Sequence, residues 1–274
     1  MVKFVDRLRR CCPRASLAPA VHPMTTTPPP TRPKLVILMY HQVGQFRRPA
    51  SHKACFCDTR RFRSQMRYLA RMGYGVIGLE QALRGLFEGG PLPRRPVVLT
   101  FDDGTRDFHD HALPVLLEHG FPATVFAVTG LLGGRADFVS YRPVPRLMTG
   151  EALRAVHRAG IQVGSHTVTH PRLTQLDDGD LRREVVDSKA FLEDLLGSPV
   201  DHFCYPKGDY DERVREVVRA AGYRSALTTV RGAANTAANP LEIPRKAVSF
   251  GDNLIGYAWK LHLKHPQKIK AGPR

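Results

Sequence analysis

The chain has 274 residues, 42% hydrophobic and 24% charged, a balance that suits one large domain with a buried core and excludes disorder throughout. No apolar run approaches the ~18 residues that a membrane-crossing helix needs. The net charge of +16 is concentrated at the ends: residues 1–33 hold six basic groups and one acid, and residues 258–274 hold five and none.

Residues 1–33 read as a disordered extension, basic and Pro-rich around Pro28, Pro29 and Pro30. They lack the apolar stretch of a secretory signal, so a cytoplasmic location is expected, and Met24 offers a second start. The cysteines Cys11, Cys12, Cys55, Cys57 and Cys204 are odd in number and form no small-domain disulfide framework. Cys55 and Cys57 have the spacing of a metal pair but no second pair to complete it, so reduced, incidental thiols are expected.

A folded domain is predicted over 34–251. It begins at Leu35-Val-Ile-Leu-Met-Tyr40, a continuous apolar run of the kind a strand buried on both faces shows. A unit then recurs in which an amphipathic helix ends at a glycine and an apolar strand follows. Phe62, Met66 and Leu69 precede Gly73 and Val76-Ile77; Leu113, Leu116 and Leu117 precede Gly120 and the run 123–128. The same order recurs around Gly160, Gly197 and Gly222. Strands alternating with helices predict a parallel sheet, and about seven units in one domain predict an α/β protein with a closed barrel. In such barrels the chemistry sits at the carboxyl ends of the strands. Polar clusters do fall just after the apolar runs: Tyr40-His41, Asp102-Asp103-Gly104, Ser165-His166 and Tyr205-Pro206.

Asp102 and Asp103 end a buried strand, and two carboxylates that close stay charged together only beside a cation. A loop Asp pair also caps helices, so this pair alone leaves both readings open. His166 and His170, at i and i+4, would share one face of a helical turn, which suits two ligands on one metal. Such a pair is often incidental by itself. With a carboxylate from another strand end it makes a two-His, one-carboxylate site with open positions.

Together, Thr100-Phe101-Asp102-Asp103-Gly104 and His166-Thr-Val-Thr-His170 resemble the first two signatures of the polysaccharide deacetylase (NodB-homology) family, over roughly residues 35–250. The resemblance implies a distorted (β/α) barrel of about seven strands, Asp102 as catalytic base, and Asp103, His166 and His170 as ligands of a divalent metal, with zinc the expected ion. Tyr205-Pro206-Lys207-Gly208 resembles the third signature in its YPxG form, found in relatives that act on poly-N-acetylglucosamine. It implies oxyanion binding by the Lys207 N–H, with Tyr205 and Pro206 near substrate; a plain turn is the other reading. Cys204 stands where the family usually has an Arg that braces the catalytic Asp. Ile243-Pro244-Arg245 resembles an element of the same subgroup, so Arg245 is expected to replace that brace, against the alternative of a surface Arg. His41 is expected either to contact substrate or to be a core histidine. The closing Leu-x-His that supplies the family's general acid has no match, since Leu261-His262-Leu263 lies in a basic tail.

Residues 252–274 read as an amphipathic basic helix and tail, either docked on the barrel or lying on a membrane surface. The implied activity is metal-dependent hydrolysis of a linear amide, removing N-acetyl or another N-acyl group from amino sugars of a cell-surface saccharide or lipid-linked precursor. The competing reading is a saccharide-binding protein on the same barrel. The expected partners are an N-acetylated saccharide and, through the basic ends, an anionic membrane face. The body has no basic, aromatic-interleaved motif for reading bases, so nucleic acid is not expected.

Overall fold

The apolar runs become strands whose neighbours are all parallel. A computed structural model of the chain describes residues 34–262. The extension 1–33 and the tail from 263 to 274 lie outside the described residues. The first strand, β1 (Val36–Tyr40), is followed by the short pair β2 (Gln42–Gly44) and β3 (Phe56–Asp58), then α1 (Thr59–Arg71). Next come β4 (Gly75–Val76), α2 (Leu79–Phe87), β5 (Pro96–Phe101), α3 (Leu113–Glu118), β6 (Thr124–Ala127), α4 (Gly150–Arg158) and β7 (Gln162–Ser165). The second half runs α5 (Asp178–Arg182), α6 (Ser188–Leu196), β8 (His202–Cys204), α7 (Glu212–Ala220), β9 (Ser225–Arg231), β10 (Ile243–Ala247) and α8 (Leu254–His262).

Seven strands close on themselves in the order β1, β10, β9, β8, β7, β6, β5, because β1 pairs with both β10 and β5. This is the closed, seven-stranded (β/α) barrel that the motifs imply. One strand of the sequence reading is not a stave. The Val76-Ile77 run yields only β4, which pairs with the first two residues of β5 while β6 takes the positions further along the same edge. The stave of that unit is β5, reached through α2. The glycines that close the recurring helices, Gly73, Gly120, Gly160, Gly197 and Gly222, all have positive φ, the conformation a residue without Cβ adopts cheaply.

Alternation along the strands builds two apolar layers. Leu38, Leu99, Val125 and Val163 face outward and pack under the helices with Phe62, Met66 and Leu116. Ile37, Val98, Phe126, Leu227 and Ile243 face inward, and Ile77, Leu79 and Leu83 join them. At Gly164 a Cβ would sit 2.5 Å from the Phe126 ring and 2.8 Å from His202 O, so that stave yields its inward position to the phenylalanine. The same alternation carries β5 from Val98 through Thr100 to Asp102, and β10 from Ile243 to Arg245. The last residues of an apolar interior are therefore a carboxylate and a guanidinium.

The helix read in 252–274 is α8. It buries Tyr257 and Leu261 in the outer layer beside α1, and its Tyr257 hydroxyl meets that of Tyr40 at 3.3 Å.

Candidate active site

Asp102 leaves β5 still held in the sheet, its N–H donating to Tyr40 O at 2.9 Å. Asp103 then turns with φ 72, and both carboxylates reach one cavity of about 430 Å³ at the carboxyl ends of the strands. Arg245 approaches Asp102 from inside the barrel. Its Nη1 donates to Oδ1 and its Nη2 to Oδ2, each at 2.7 Å, with both residues almost fully buried. The rest of the fork is occupied as well: Nε donates to Thr228 O at 3.0 Å, Nη1 to Thr100 Oγ1 at 3.1 Å, and Nη2 meets Cys204 Sγ at 3.1 Å. Burial pushes the Asp102 carboxyl up, but the guanidinium beside it outweighs burial and holds it below the ordinary carboxylate value.

Asp103 faces the histidines. Its Oδ1 lies 3.6 Å from His166 Nε2 and 3.7 Å from His170 Nε2. His166 Nδ1 donates to the carbonyl of Cys204 at 2.7 Å, which turns Nε2 toward Asp103. Burial lowers the His166 imidazole, but neighbouring Cys204 and Asp103 raise it well above its ordinary value, so its Nε2 proton donates to Asp103 and is the proton a divalent ion would replace. Phe138 stacks on the His170 ring at 4.0 Å and 23°. Ligand atoms of a tetrahedral ion at ~2.1 Å stand about 3.4 Å apart, so one carboxylate oxygen and two imidazole nitrogens at these separations fit a divalent ion. A second group, Asp102, His166 and Cys204, also lies close together. It suits a cation poorly, because both Asp102 oxygens already accept from a fixed positive charge. Burial opposes ionisation of Asp103, but the hydrogen bond to His166 and the charge of His41 keep it well below the ordinary value. Burial and the neighbouring His166 push His170 down to about 3, so it is neutral and free to ligate.

The two histidines do not share a helical turn, as their spacing suggested. Residues 166–170 form a loop in which Thr167 and His170 have φ of 72 and 63. The cause is Glu184, whose carboxylate accepts from Val168 N, Thr169 N and Thr169 Oγ1 at 2.6–2.9 Å and takes donors that a helix would use. Thr167 Oγ1 accepts from His170 N at 3.0 Å and closes the loop.

The cavity brings together Asp102, Asp103, His166, His170, Lys207 and His41, with Arg245 behind Asp102. Lys207 has φ 58, and the next residue, Gly208, leaves no room for a Cβ against Thr229. His41 lines the cavity with a buried Nδ1 that has no hydrogen-bond partner. Tyr205 and Pro206, expected beside substrate, are buried and do not line the cavity. Tyr205 stacks on Tyr210 at 4.7 Å and donates to Leu241 O at 3.0 Å, so it is a core residue that fixes the turn carrying Lys207. His262 lies elsewhere, with Tyr74 and Tyr68. Cys55 and Cys57 are free thiols; Cys55 lines the cavity and Cys57 is in the outer apolar layer. Sequence reasoning missed Phe138 and Tyr141, which wall the cavity from the connection between β6 and α4. No spacing or motif marks them, and Tyr141 is set by a distant contact, accepting from Gln42 Nε2 at 2.9 Å.

A sequence model of the family described as polysaccharide deacetylase matches residues 89–226. YxkH of Bacillus subtilis, which carries the same family name, is 28% identical over 218 residues, 80% of this chain and 72% of that protein. The poly-beta-1,6-N-acetyl-D-glucosamine N-deacetylase of Staphylococcus aureus is 22% identical over 197 residues, 69% of this chain and 66% of that protein. The chain spans a smaller share of other relatives, such as 50% of a Rhizobium leguminosarum chitooligosaccharide deacetylase. Among solved structures, the Streptococcus pyogenes deacetylase PplD in complex with acetate superposes with a TM-score of 0.74 at 25% identity, over 85% of this chain and 100% of that one. IcaB from Ammonifex degensii gives 0.70 at 26% identity, over 84% and 97%.

The geometry of Asp103, His166 and His170 makes a direct prediction. Elemental analysis of the purified protein should find about one divalent ion per chain, and His166→Ala or His170→Ala should remove it. The barrel core does not include the three side chains, so thermal unfolding should move far less than metal content. Stoichiometric metal retained by the doubly substituted protein would refute the assignment.

Proposed function

The chain belongs to the polysaccharide deacetylase family, and on that premise we propose that it hydrolyses the N-acetyl amide of an amino sugar in a cell-surface glycan or its lipid-linked precursor, using a divalent ion held by Asp103, His166 and His170. The observation that carries this reading is the pairing of two carboxylates with opposite tasks. Asp102 is held ionised by Arg245, and Asp103, next in sequence, faces the Nε2 atoms of two imidazoles. Zinc suits a set of two imidazoles and one carboxylate. When bound, such an ion supplies a Lewis acid for the amide carbonyl and for water.

The side chains divide the remaining work. Asp102 takes the proton of the attacking water, and its two bonds to Arg245 keep the carboxylate ionised and oriented. As water adds to the carbonyl carbon, the negative charge that forms on the former carbonyl oxygen is met by the Lys207 N–H, a donor of a kind typically worth ~3 kcal/mol to a transition state. His41 gives the proton that the departing sugar amine needs; its place in the cavity wall supports that role. Acetate and a free amino sugar result. A saccharide-binding protein without turnover rests on the missing Arg at 204 and the missing closing histidine, and Arg245 beside Asp102 removes the first of these grounds.

Acetate release from a panel of N-acetylated oligosaccharides, polymers and lipid-linked precursors tests the reading. Asp102→Asn should keep its metal and lose activity by ~100-fold or more, the range for a lost general base. Near-wild-type turnover in Asp102→Asn would remove the assignment.

Arg245 gives a test by pH. Without the guanidinium, Asp102 loses the largest influence opposing burial and keeps only the weaker ones of His41 and His166, so its pKa rises. The carboxylate then protonates at higher pH, so the acid limb of the kcat/KM profile in Arg245→Met should move upward by ~1–3 units with metal content unchanged. Breaking a buried pair costs ~3–5 kcal/mol of stability. Arg245→Lys, which keeps the charge and loses the fork, should therefore show a smaller shift in a better-folded protein. An unmoved acid limb in both variants would show that Arg245 does not set the ionisation of Asp102.

A further inference from the structure

A second cavity, of about 450 Å³, opens near the first and shares no lining residue with it. Phe46, Arg61, Gln65, Phe250 and Asn253 are among its walls. Phe46 follows β2, Arg61 sits in the first turn of α1 just after β3, and Phe250 and Asn253 follow β10. Gln65 comes from the next turn of α1, so these walls are the chain after β2 and β10 and the first two turns of α1. An aromatic partition divides the two cavities: the Phe46 ring meets Phe56 at 5.0 Å, and Phe56 meets Tyr141 at 5.0 Å.

The chemistry of this cavity is one of unmet donors beside ring faces. Gln65 is 1% exposed; its Oε1 accepts from Tyr40 Oη at 2.9 Å, while its Nε2 has no acceptor. Arg61 Nη1 is buried and also without one, and its guanidinium lies 5.8 Å from the Phe250 ring centroid. The acids in the wall are engaged elsewhere. Asp58 caps α1 through the N–H groups of Arg60 and Arg61, and Asp252 Oδ2 accepts from Ser249 N and Lys260 Nζ. Buried donors without acceptors among the described residues are costly, and two of them on side chains that wall one cavity favour a ligand that brings oxygens. The Phe46 and Phe250 rings favour one that also brings an apolar face. A pyranose unit, with hydroxyl and acetamide oxygens around a C–H face, has both. We propose that this cavity is a distal subsite, binding a second sugar unit of the same glycan whose N-acetyl group lies in the metal-site cavity.

The proposal rests on the deacetylase reading, and its test separates the two. Calorimetry of the Asp102→Asn protein with N-acetylglucosamine oligomers of increasing length measures binding without turnover. Affinity should rise about tenfold or more once an oligomer reaches both cavities, ~1.4 kcal/mol by the usual conversion. Phe250→Ala and Arg61→Met should abolish that rise and leave the affinity for the shortest binder unchanged. Failure of the wild-type protein to deacetylate any glycan counts against the function and leaves this measurement intact. Affinity independent of length, no binding of any oligomer, or a length effect that survives both substitutions would mean that water alone fills the cavity, and would overturn the subsite.

A different observation carries a second inference. Helix α8 is apolar on two sides: Tyr257 and Leu261 are buried, while Leu254, Ile255 and Trp259 are 44%, 80% and 51% exposed. On the neighbouring α1, Arg63, Arg67 and Arg71 are exposed, spaced four apart along one face, with Arg63 3.1 Å from Glu118. Leu254 shares a groove with Arg67, Arg71 and the exposed Met72. The sequence beyond His262 adds Lys264, Lys268, Lys270 and Arg274 and no acid. Trp259 borders a separate groove with Arg231 and Lys260. Exposed Ile and Trp on a helix flanked by basic side chains match an interface of acyl chains under anionic headgroups. We infer that the α1–α8 face docks on an anionic lipid bilayer.

Trp259 is the chain's one tryptophan, so its fluorescence reads this face directly. Vesicles of phosphatidylglycerol at low salt should shift its emission to the blue; phosphatidylcholine vesicles should not, and added salt should reverse the shift. Ile255→Ser should weaken vesicle binding by about tenfold or more and leave the melting temperature unchanged. An emission spectrum indifferent to anionic vesicles would overturn the inference. So would a blue shift that depends on protein concentration without vesicles, since a second copy of the chain would then cover the face.

Discussion

Inside the barrel, a guanidinium and a carboxylate lie in a space otherwise filled by Ile, Val, Leu and Phe. Removing two charges from water is costly, and their attraction offsets that cost only when the remaining donors and acceptors are also satisfied. Arg245 meets that condition with five contacts drawn from three other parts of the barrel: Thr100 and Asp102 at the end of β5, Thr228 on β9, and Cys204 on β8. Four staves must therefore stand in register before the pair is tolerable. The architecture around it serves the same requirement. Gly164 gives way to Phe126, the interior below the pair is apolar, and the polar side chains that meet Arg245 lie toward the carboxyl ends of the strands.

With Asp102 neutralised from below, Asp103 is left to the histidines. Two adjacent carboxylates can remain ionised because each faces its own partners, the Arg245 guanidinium for Asp102 and the imidazoles of His166 and His170 for Asp103. The left-handed turn at Asp103 keeps these partners apart, since an extended residue there would point the second carboxylate away from the cavity. The site is thus a division of charge between the barrel's interior and its mouth. The loops supply only the walls: Phe138 against His170, Tyr141 against Gln42, and Glu184 under the backbone of 167–169.

What could be read from the residues alone follows the reach of the interactions. Apolar runs, helix-ending glycines and the polar residues after each strand are local signals, and they led to the barrel and to the positions of Asp102, Asp103, His166 and His170. The departure at Cys204 and the arginine at 245 were legible together only through the resemblance of Ile243-Pro244-Arg245 to the family's element, and in the structure the Cys204 thiol lies beside the guanidinium that Asp102 accepts from. Non-local competition was not legible. His166 and His170 have helical spacing, but Glu184 pulls their loop out of a helix from sixteen residues downstream of Val168. Tyr205 sits in a motif that suggested substrate contact, and its ring turned instead toward Tyr210 and Leu241. Val76-Ile77 has the apolarity of a stave, and α2 follows too soon for it to become one.

The closure of β1 onto both β5 and β10 also has a bearing on how the chain comes into being. A ribosome releases β1 at the start of the domain and β10 near its end, with about two hundred residues between them. Until β10 emerges, six staves form an open sheet with two bare edges, and Asp102 is a carboxylate facing an apolar trough with no cation beneath it. Contacts between such distant segments form late and slowly, and open edges recruit neighbours in the meantime. The arginine that braces Asp102 lies on the last stave the barrel acquires. A nascent or C-terminally shortened chain that lacks β10 would hold Asp103, His166 and His170 but leave Asp102 without its guanidinium, so the site is complete only once the ring is sealed.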